Sequence, residues 1–234
     1  LAAGKHTLVE IPLAMSLADA ERVTLLAERS GLRLMVAHTQ RFFPALLELR
    51  RQIEVGELHP HHLVFRWFFL RRSNVNWEGR QRSWTDNLLW HHACHVVDAA
   101  LWLLGQTERR AAAPVPAIGQ AGPPHPELGI PLDVDLLLRA GDVPVNIAMS
   151  YNSPWPLHEY LVIGEEATLR FEEGRLMGRE GPAFVPEAAQ PLREQDREFL
   201  AAVREARETS VSGRSVLPAM GALQSVQDAL SAGG

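Results

Sequence analysis

Residues 6–37 read HTLVEIPLAMSLADAERVTLLAERSGLRLMVA, and this stretch decides the first part of the fold. His6 to Glu10 is a short apolar-centred strand, closed by Pro12, which cannot continue a ladder. Ser16 with Asp19 three residues on resembles a capping box with Asp in place of Glu, so a helix starts there and runs to about Ser30. Gly31 ends it, and Leu32 to Ala37 is a second strand. Strand, helix and strand in so short a space form a βαβ unit, whose strands run parallel with a right-handed crossover. Gly4 reads as the stop of a preceding helix, and the chain opens on Leu1 in that helix tail. More of the same domain is therefore expected upstream.

Working outward, the pattern changes after His38. Pro44 to Val55 is amphipathic and ends at Gly56; His62 to Leu70 is a strand rich in Phe, Trp and Val. Arg71 to Ser83 is polar and irregular, and Asp86 to Leu104 reads as one helix stopped by Gly105. Ala111 to Pro126, rich in Ala, Pro and Gly, reads as a loop. Leu132–Arg139, Val143–Asn152, Glu159–Ile163 and Ala167–Phe171 are short strands with turns at Gly141-Asp142 and Gly164-Glu165. Such closely spaced runs favour antiparallel pairing. Helices from about Gln195 to Glu208 and Ser215 to Ala232 close the chain, with Pro218 near the start of the last. The expected architecture is an α/β remnant of a Rossmann domain over residues 1–40. An α+β domain over 41–234 follows, with a mainly antiparallel sheet and helices on one face.

The bulk numbers bound the function. The chain has 234 residues, 46% of them apolar, and a net charge of −5, a balance that points to neither nucleic acid nor an anionic membrane as partner. Lys5 is the only lysine, so the positive charge is carried by arginine, whose rigid fork suits carboxylates and phosphates. Cys94 stands alone, which excludes an intrachain disulfide and a cysteine-based zinc site. No apolar run is long enough to span a membrane and no signal-peptide pattern is present, so a cytoplasmic protein is expected.

The strongest chemical signal is RSWTDNLLWHHACHVVD, residues 82–98. On a straight helix His91, His95 and Asp98 fall within about 60° of one another, with His92 pointing away. Two imidazoles and a carboxylate on one stripe suit proton transfer near neutral pH. The i, i+4 histidine pair is also a metal-ligand spacing, though the Glu of a metalloprotease helix is missing, and a solvated or buried polar face would look the same. Arginines are the second signal. Arg41, Arg71, Arg72, Arg80 and Arg82 flank this segment, and if they converge they would hold an acidic substrate by bidentate contacts. No G-x-G-x-x-G occurs, so nothing here by itself proves nucleotide binding.

At this point a resemblance enters. AGKHTLVEIPLA, then ADAERVTLLAERSGLRLMVAHTQRFFPALLELRRQIEVGEL, and the later helix with His95, Asp98 and WLLG resemble the Gfo/Idh/MocA oxidoreductases over essentially the whole chain. Two positions depart from the family pattern. Its Glu-Lys-Pro is Glu10-Ile11-Pro12 here, and His91 stands where its helix aspartate is usual. VEIPLA, RSWTDNLLWHHACHVVD and HPELGI are similar to one branch that carries the same isoleucine and two-histidine helix. That branch oxidises 4-carboxy-2-hydroxymuconate semialdehyde, as its cyclic hemiacetal, to 2-pyrone-4,6-dicarboxylate in aromatic catabolism, using NADP.

The resemblance implies roles. His95 is the expected general base, with His91 as its partner or a substrate ligand and Asp98 orienting a histidine. Glu10, Pro12 and Arg41 are set on the cofactor side, where NADP or NAD would bind. Arg41 is also a candidate for the substrate's carboxylates, as are Arg71, Arg72 and Arg82, with Trp84 and His92 beside the substrate. No metal is expected. A homo-oligomer through the open sheet is implied as well. A sugar or polyol dehydrogenase of the same family stays open, as do a non-catalytic binding or oligomerisation module and a metalloenzyme using His91, His95 and Asp98.

Overall fold

The computed structural model describes residues 1–76, 78–82, 87–107 and 115–232. The first unit is β1 (Thr7–Val9), α1 (Leu17–Arg29) and β2 (Leu34–Val36), with β1 and β2 paired in parallel at Thr7↔Leu34, Leu8↔Met35 and Val9↔Val36. The cap is as expected: the Asp19 amide donates to Ser16 Oγ at 3.2 Å. Gly31, at φ +63°, turns the chain out of α1. The outer edge of β2 is not bare, because the Val36 amide donates to the Val211 carbonyl at 2.9 Å.

A 3-10 turn at Thr39–Phe42 leads into α2 (Pro44–Glu54) and then β3 (Pro60–Leu70). Next come α3 (Leu88–His91), α4 (Ala93–Leu103), β4 (Ala117–Ala121), β5 (Asp133–Ala140), β6 (Val143–Ser150) and β7 (Asn152–Gly164). β8 (Thr168–Glu172), β9 (Arg175–Gly178), β10 (Gly181–Phe184), α5 (Pro191–Arg204) and α6 (Gly213–Ala232) complete the chain. The large sheet has the order β10-β9-β8-β7-β3-β6-β5-β4. Every pairing in it is antiparallel except β3 with β6. β6 and β7 are consecutive in the chain, yet β3 lies between them, so this hairpin is split by an earlier strand.

Alternation sets the two faces of the sheet. In β5, Val134, Leu136, Leu138 and Ala140 are buried, while Asp133, Asp135, Leu137 and Arg139 are exposed. The inward residues meet α4, which is buried along nearly its whole length because it lies between the sheet and α6. α6 contributes Val216, Ala219, Met220, Leu223 and Val226. It lies so near β4 that a Cβ at Gly119 would come within 2.7 Å of Val226 Cγ1, so a side chain there would push the helix away. Among the described residues, the opposite face around Ile118, Leu137, Ala148 and Arg66 is lined by strand residues alone. Among the described residues no helix is long and apolar enough to cross a membrane.

Several elements differ from expectation: β9 and β10 follow the last expected strand, and β7 starts at Asn152 rather than Glu159. The segment read as one helix from Asp86 is two, broken at His92, and residues 83–86 lie outside the described residues. β4 lies inside the stretch read as loop; only its pairing with β5, Ala117↔Leu138 to Ala121↔Val134, defines it. α5 starts at Pro191, four residues earlier than expected, because proline is preorganised for the first helical turn.

Candidate functional site

The site grows from the break at His92. Asn87 caps α3 by accepting the Trp90 amide at 3.2 Å, and α4 restarts at Ala93 with His92 as its N-cap residue. The His92 ring is tied to the sheet, with Nδ1 2.6 Å from the Tyr151 hydroxyl. Arg71 Nη1 donates to that same hydroxyl at 2.9 Å. Both contacts are satisfied when the tyrosine accepts from arginine and donates to a neutral His92. The break brings His91 and His92 into a stack 4.3 Å apart. His92, expected to point away from the stripe, therefore faces the sheet.

Beneath these rings lies an aromatic floor. Trp67 of β3 stacks on His158 of β7 at 4.3 Å and meets His92 edge-on at 5.1 Å. His95 lies 5.9 Å from Trp67 and 5.6 Å from His38. Phe69 packs on His92 and Tyr151. Register explains the layer. Trp67 is opposite His158 across the β3–β7 pair, and Phe65 is opposite Tyr160, so these side chains share the face that α4 covers.

Behind His95 the polar chemistry is internal. Arg41 Nε and Nη2 donate to the two oxygens of Asp98 at 2.8 and 2.5 Å, and the guanidinium also reaches Ser215. Arg41 is 4% exposed and Asp98 1%. His38 Nδ1 lies 3.4 Å from Asp98 Oδ2, without hydrogen-bond alignment. Burial disfavours the Asp98 carboxylate, but the positive Arg41, the neighbouring His38 and the Arg41 hydrogen bonds outweigh it and hold the group below its usual range.

The expected site residues thus separate. His92 and His95 come together over Trp67 with His91 stacked on His92, whereas Asp98 points into the interior and pairs with Arg41. Arg71 and Arg72 converge on Tyr151; Arg72 donates to its carbonyl at 2.7 Å and to Asn152 Oδ1 at 2.8 Å. Arg82 Nη1 is 3.4 Å from His91 Nε2, while Arg80 pairs with Glu78 at the surface. Glu10 and Pro12 lead from the carboxyl end of β1, the end at which the Ala37 amide donates to the Val9 carbonyl at 2.9 Å. Trp84 lies outside the described residues. Among the described residues no three His, Cys, Asp or Glu side chains are grouped to hold a metal. His38, Trp67, Tyr151 and His158 were not singled out from sequence. The alternation of β3 and β7 could have found Trp67 and His158 but not their role.

Burial dominates the titration of the histidines. It pushes His38 and His158 down to about 4, His95 to about 3 and His92 to about 2. Each folded value lies below the unfolded one, near 6.5, so the unfolded chain binds more protons at mildly acidic pH. Stability conferred by the neutral rings is present above about pH 6.5 and is lost as pH falls toward 4. A fully enclosed imidazole contributes roughly 2 kcal/mol of this loss by pH 5, and partly exposed rings less. Urea midpoints measured at pH 7 and pH 5 should therefore differ by the equivalent of about 3–5 kcal/mol. Equal midpoints would show that these rings are solvated in the folded protein.

Comparison with known proteins adds to this geometry. A family model described as bacterial oxidoreductases, C-terminal, matches residues 44–181. A 4-carboxy-2-hydroxymuconate-6-semialdehyde dehydrogenase from Sphingobium is 39% identical over 222 residues, covering 92% of this chain and 68% of that protein. Among solved structures, UDP-N-acetylglucosamine 3-dehydrogenase from Acidithiobacillus ferrooxidans superposes with a TM-score of 0.79 at 19% identity, over 99% of this chain and 72% of its own. The aldose-aldose oxidoreductase of Caulobacter crescentus gives 0.79 at 20% identity, over 100% and 72%. At such identities these two likenesses speak for the fold alone.

Proposed function

Because the chain belongs to the bacterial oxidoreductases of Gfo/Idh/MocA type, we propose that it takes part in the NADP-dependent oxidation of a dicarboxylated cyclic hemiacetal. The substrate of this reading is 4-carboxy-2-hydroxymuconate semialdehyde and the product 2-pyrone-4,6-dicarboxylate. The observation that carries it is the placing of His95. Its ring keeps part of its surface open, its Nδ1 is sealed from solvent, and it stands between the end of the βαβ unit and an aromatic floor rimmed by arginine.

The residues fit a nicotinamide cofactor at one point. Parallel strands place ligands outside their carboxyl ends, and just past the ends of β1 and β2, at Val9 and Val36, come Glu10 and His38, whose ring touches His95. Glu10 and Pro12 would hold the cofactor there, with the domain boundary near residue 40. When bound, the cofactor supplies the acceptor for the hydride that leaves the substrate carbon. His95 takes the hydroxyl proton, and Trp67 and Phe69 give a flat apolar bed for a conjugated ring. Arg71, Arg72 and Arg82 on the rim attract the two carboxylates. Those carboxylates, brought beside neutral imidazoles, favour the protonated form that His95 reaches in the reaction. Arg41, with its fork on Asp98, supports the site from inside. The open sheet face, with exposed Ile118 and Leu137 beside Arg66, is where a second copy would pair.

The test is formation of reduced nicotinamide by the whole gene product with NADP and the semialdehyde. Turnover supports the reading. Turnover of a sugar or polyol instead would keep the family and remove this substrate, and no binding of either nucleotide would leave a non-catalytic module.

A further inference from the structure

Two of the buried polar atoms that lack a partner belong to rings in contact with each other: Nδ1 of His95 and Nδ1 of His38. A buried nitrogen without a partner costs about 1–3 kcal/mol, so two beside one another call for an explanation. The rings stand edge to face, 89° apart, with centroids at 5.6 Å, a spacing at which turning one ring about its side-chain bonds brings an N–H of one within reach of a nitrogen of the other. Beyond His38 lies Asp98 Oδ2 at 3.4 Å, and Asp98 is fixed by both arms of Arg41.

We propose that His38 is a positioning residue, linking the Asp98 carboxylate to the inward nitrogen of His95 and so deciding which nitrogen of His95 faces the substrate. In this chain of contacts His38 Nδ1–H donates to Asp98, and His38 Nε2 accepts from His95 Nδ1–H. His95 Nε2 then keeps its lone pair on the open side. Neither internal contact is aligned as a hydrogen bond in the structure, and the proposal requires the His38 ring to turn so that both form. The inference rests on the function proposed above for what His95 does, but not for how its ring is held.

The balance is simple. As the substrate carbon gives up its hydride, the hydroxyl proton passes to His95 Nε2, and the imidazolium that forms is stabilised through His38 by the negative Asp98. The proton later leaves by the same open side. The groups facing His95 are His38 and Asp98 behind it, His91 and His92 on the neighbouring turn and His158 across the floor. Arg41 compensates Asp98 rather than His95. Of these only Asp98 favours the protonated ring, and His38 lies between the two.

The test measures ring nitrogen-15 shifts of His95 in the whole, ligand-free protein at pH 7, then the pH profile of single-turnover hydride transfer. We expect wild type to carry the His95 proton on Nδ1. His38→Phe, which keeps the ring volume, should move that proton toward Nε2 and slow transfer by about 10–100-fold, with KM changed less than about threefold. His38→Gln, which retains an acceptor toward His95, should restore the tautomer and most of the rate. A wild-type proton on Nε2 would overturn the proposal, as would a His38→Phe protein with unchanged tautomer and pH profile. Since the tautomer needs no substrate to be seen, a wrong substrate assignment leaves this result standing.

Discussion

Alanine at Arg41 is expected to destabilise the fold by about 3–5 kcal/mol, the usual consequence of stripping one partner from a buried ion pair. The guanidinium joins the 3-10 turn after β2 to Asp98 of α4 and Ser215 of α6, so three elements meet on it. Without it, Asp98 keeps its burial and loses the charge that holds its carboxyl below the usual range. Linkage gives the sign. A depressed carboxylate contributes stability above its unfolded pKa and loses it as pH falls through the folded value. The Arg41→Ala protein should lose that dependence, because Asp98 would no longer be held below its unfolded value. Replacing both partners, Arg41→Met with Asp98→Leu, should recover most of the loss, since it removes the charge together with its desolvation penalty. Urea unfolding of wild type, Arg41→Met, Asp98→Leu and the double variant makes a double-mutant cycle. A loss under about 1 kcal/mol for Arg41→Ala would mean that water reaches the pair in the folded protein.

What was legible in the sequence was mostly local. The Ser16 cap, the stop at Gly31 and the alternation of β5 depend on neighbours a few residues apart, and the structure places each where the sequence put it. The partner of Arg41 lies 57 residues away and cannot be inferred from spacing. β4 was hidden because Ala117, Gly119 and Ala121 are weak strand formers and only the pairing with β5 makes them a strand. The histidine stripe failed for a different reason. It assumed a straight helix through His92, whereas the contact of that ring with Tyr151 coincides with a break that turns His91 and His92 onto each other. The arginines were legible as a group and not as individuals: Arg71, Arg72 and Arg82 lie at the rim, and Arg41 lies in the interior. His38 and His158 stand just outside the stretches read as strands, Leu32–Ala37 and Glu159–Ile163, where no short-range pattern separates a working histidine from a packed one.

Of the three histidines on the broken helix, His95 should matter most to turnover, and the reason is structural. His92 is committed through Nδ1 to Tyr151, and His91 is stacked on His92 and lies against Arg82. Of the three, His95 alone has a ring nitrogen sealed from solvent without a hydrogen bond while the residue stays partly open. Alanine at His95 is expected to lower kcat by about 10²–10⁴-fold, the range for loss of a positioned proton acceptor. KM should change only a few-fold, since the arginine rim and the Trp67 bed remain. Folding should be little harmed, because removing an imidazole that is neutral and unpartnered takes away a penalty along with its packing. Alanine at His92 should act the other way round, disturbing Tyr151, Arg71 and substrate affinity more than the proton-transfer step. Steady-state kinetics on both variants separates the roles. Turnover within about threefold of wild type for His95→Ala would remove the proton from His95, and a matching collapse in His92→Ala would move it one turn back along the chain.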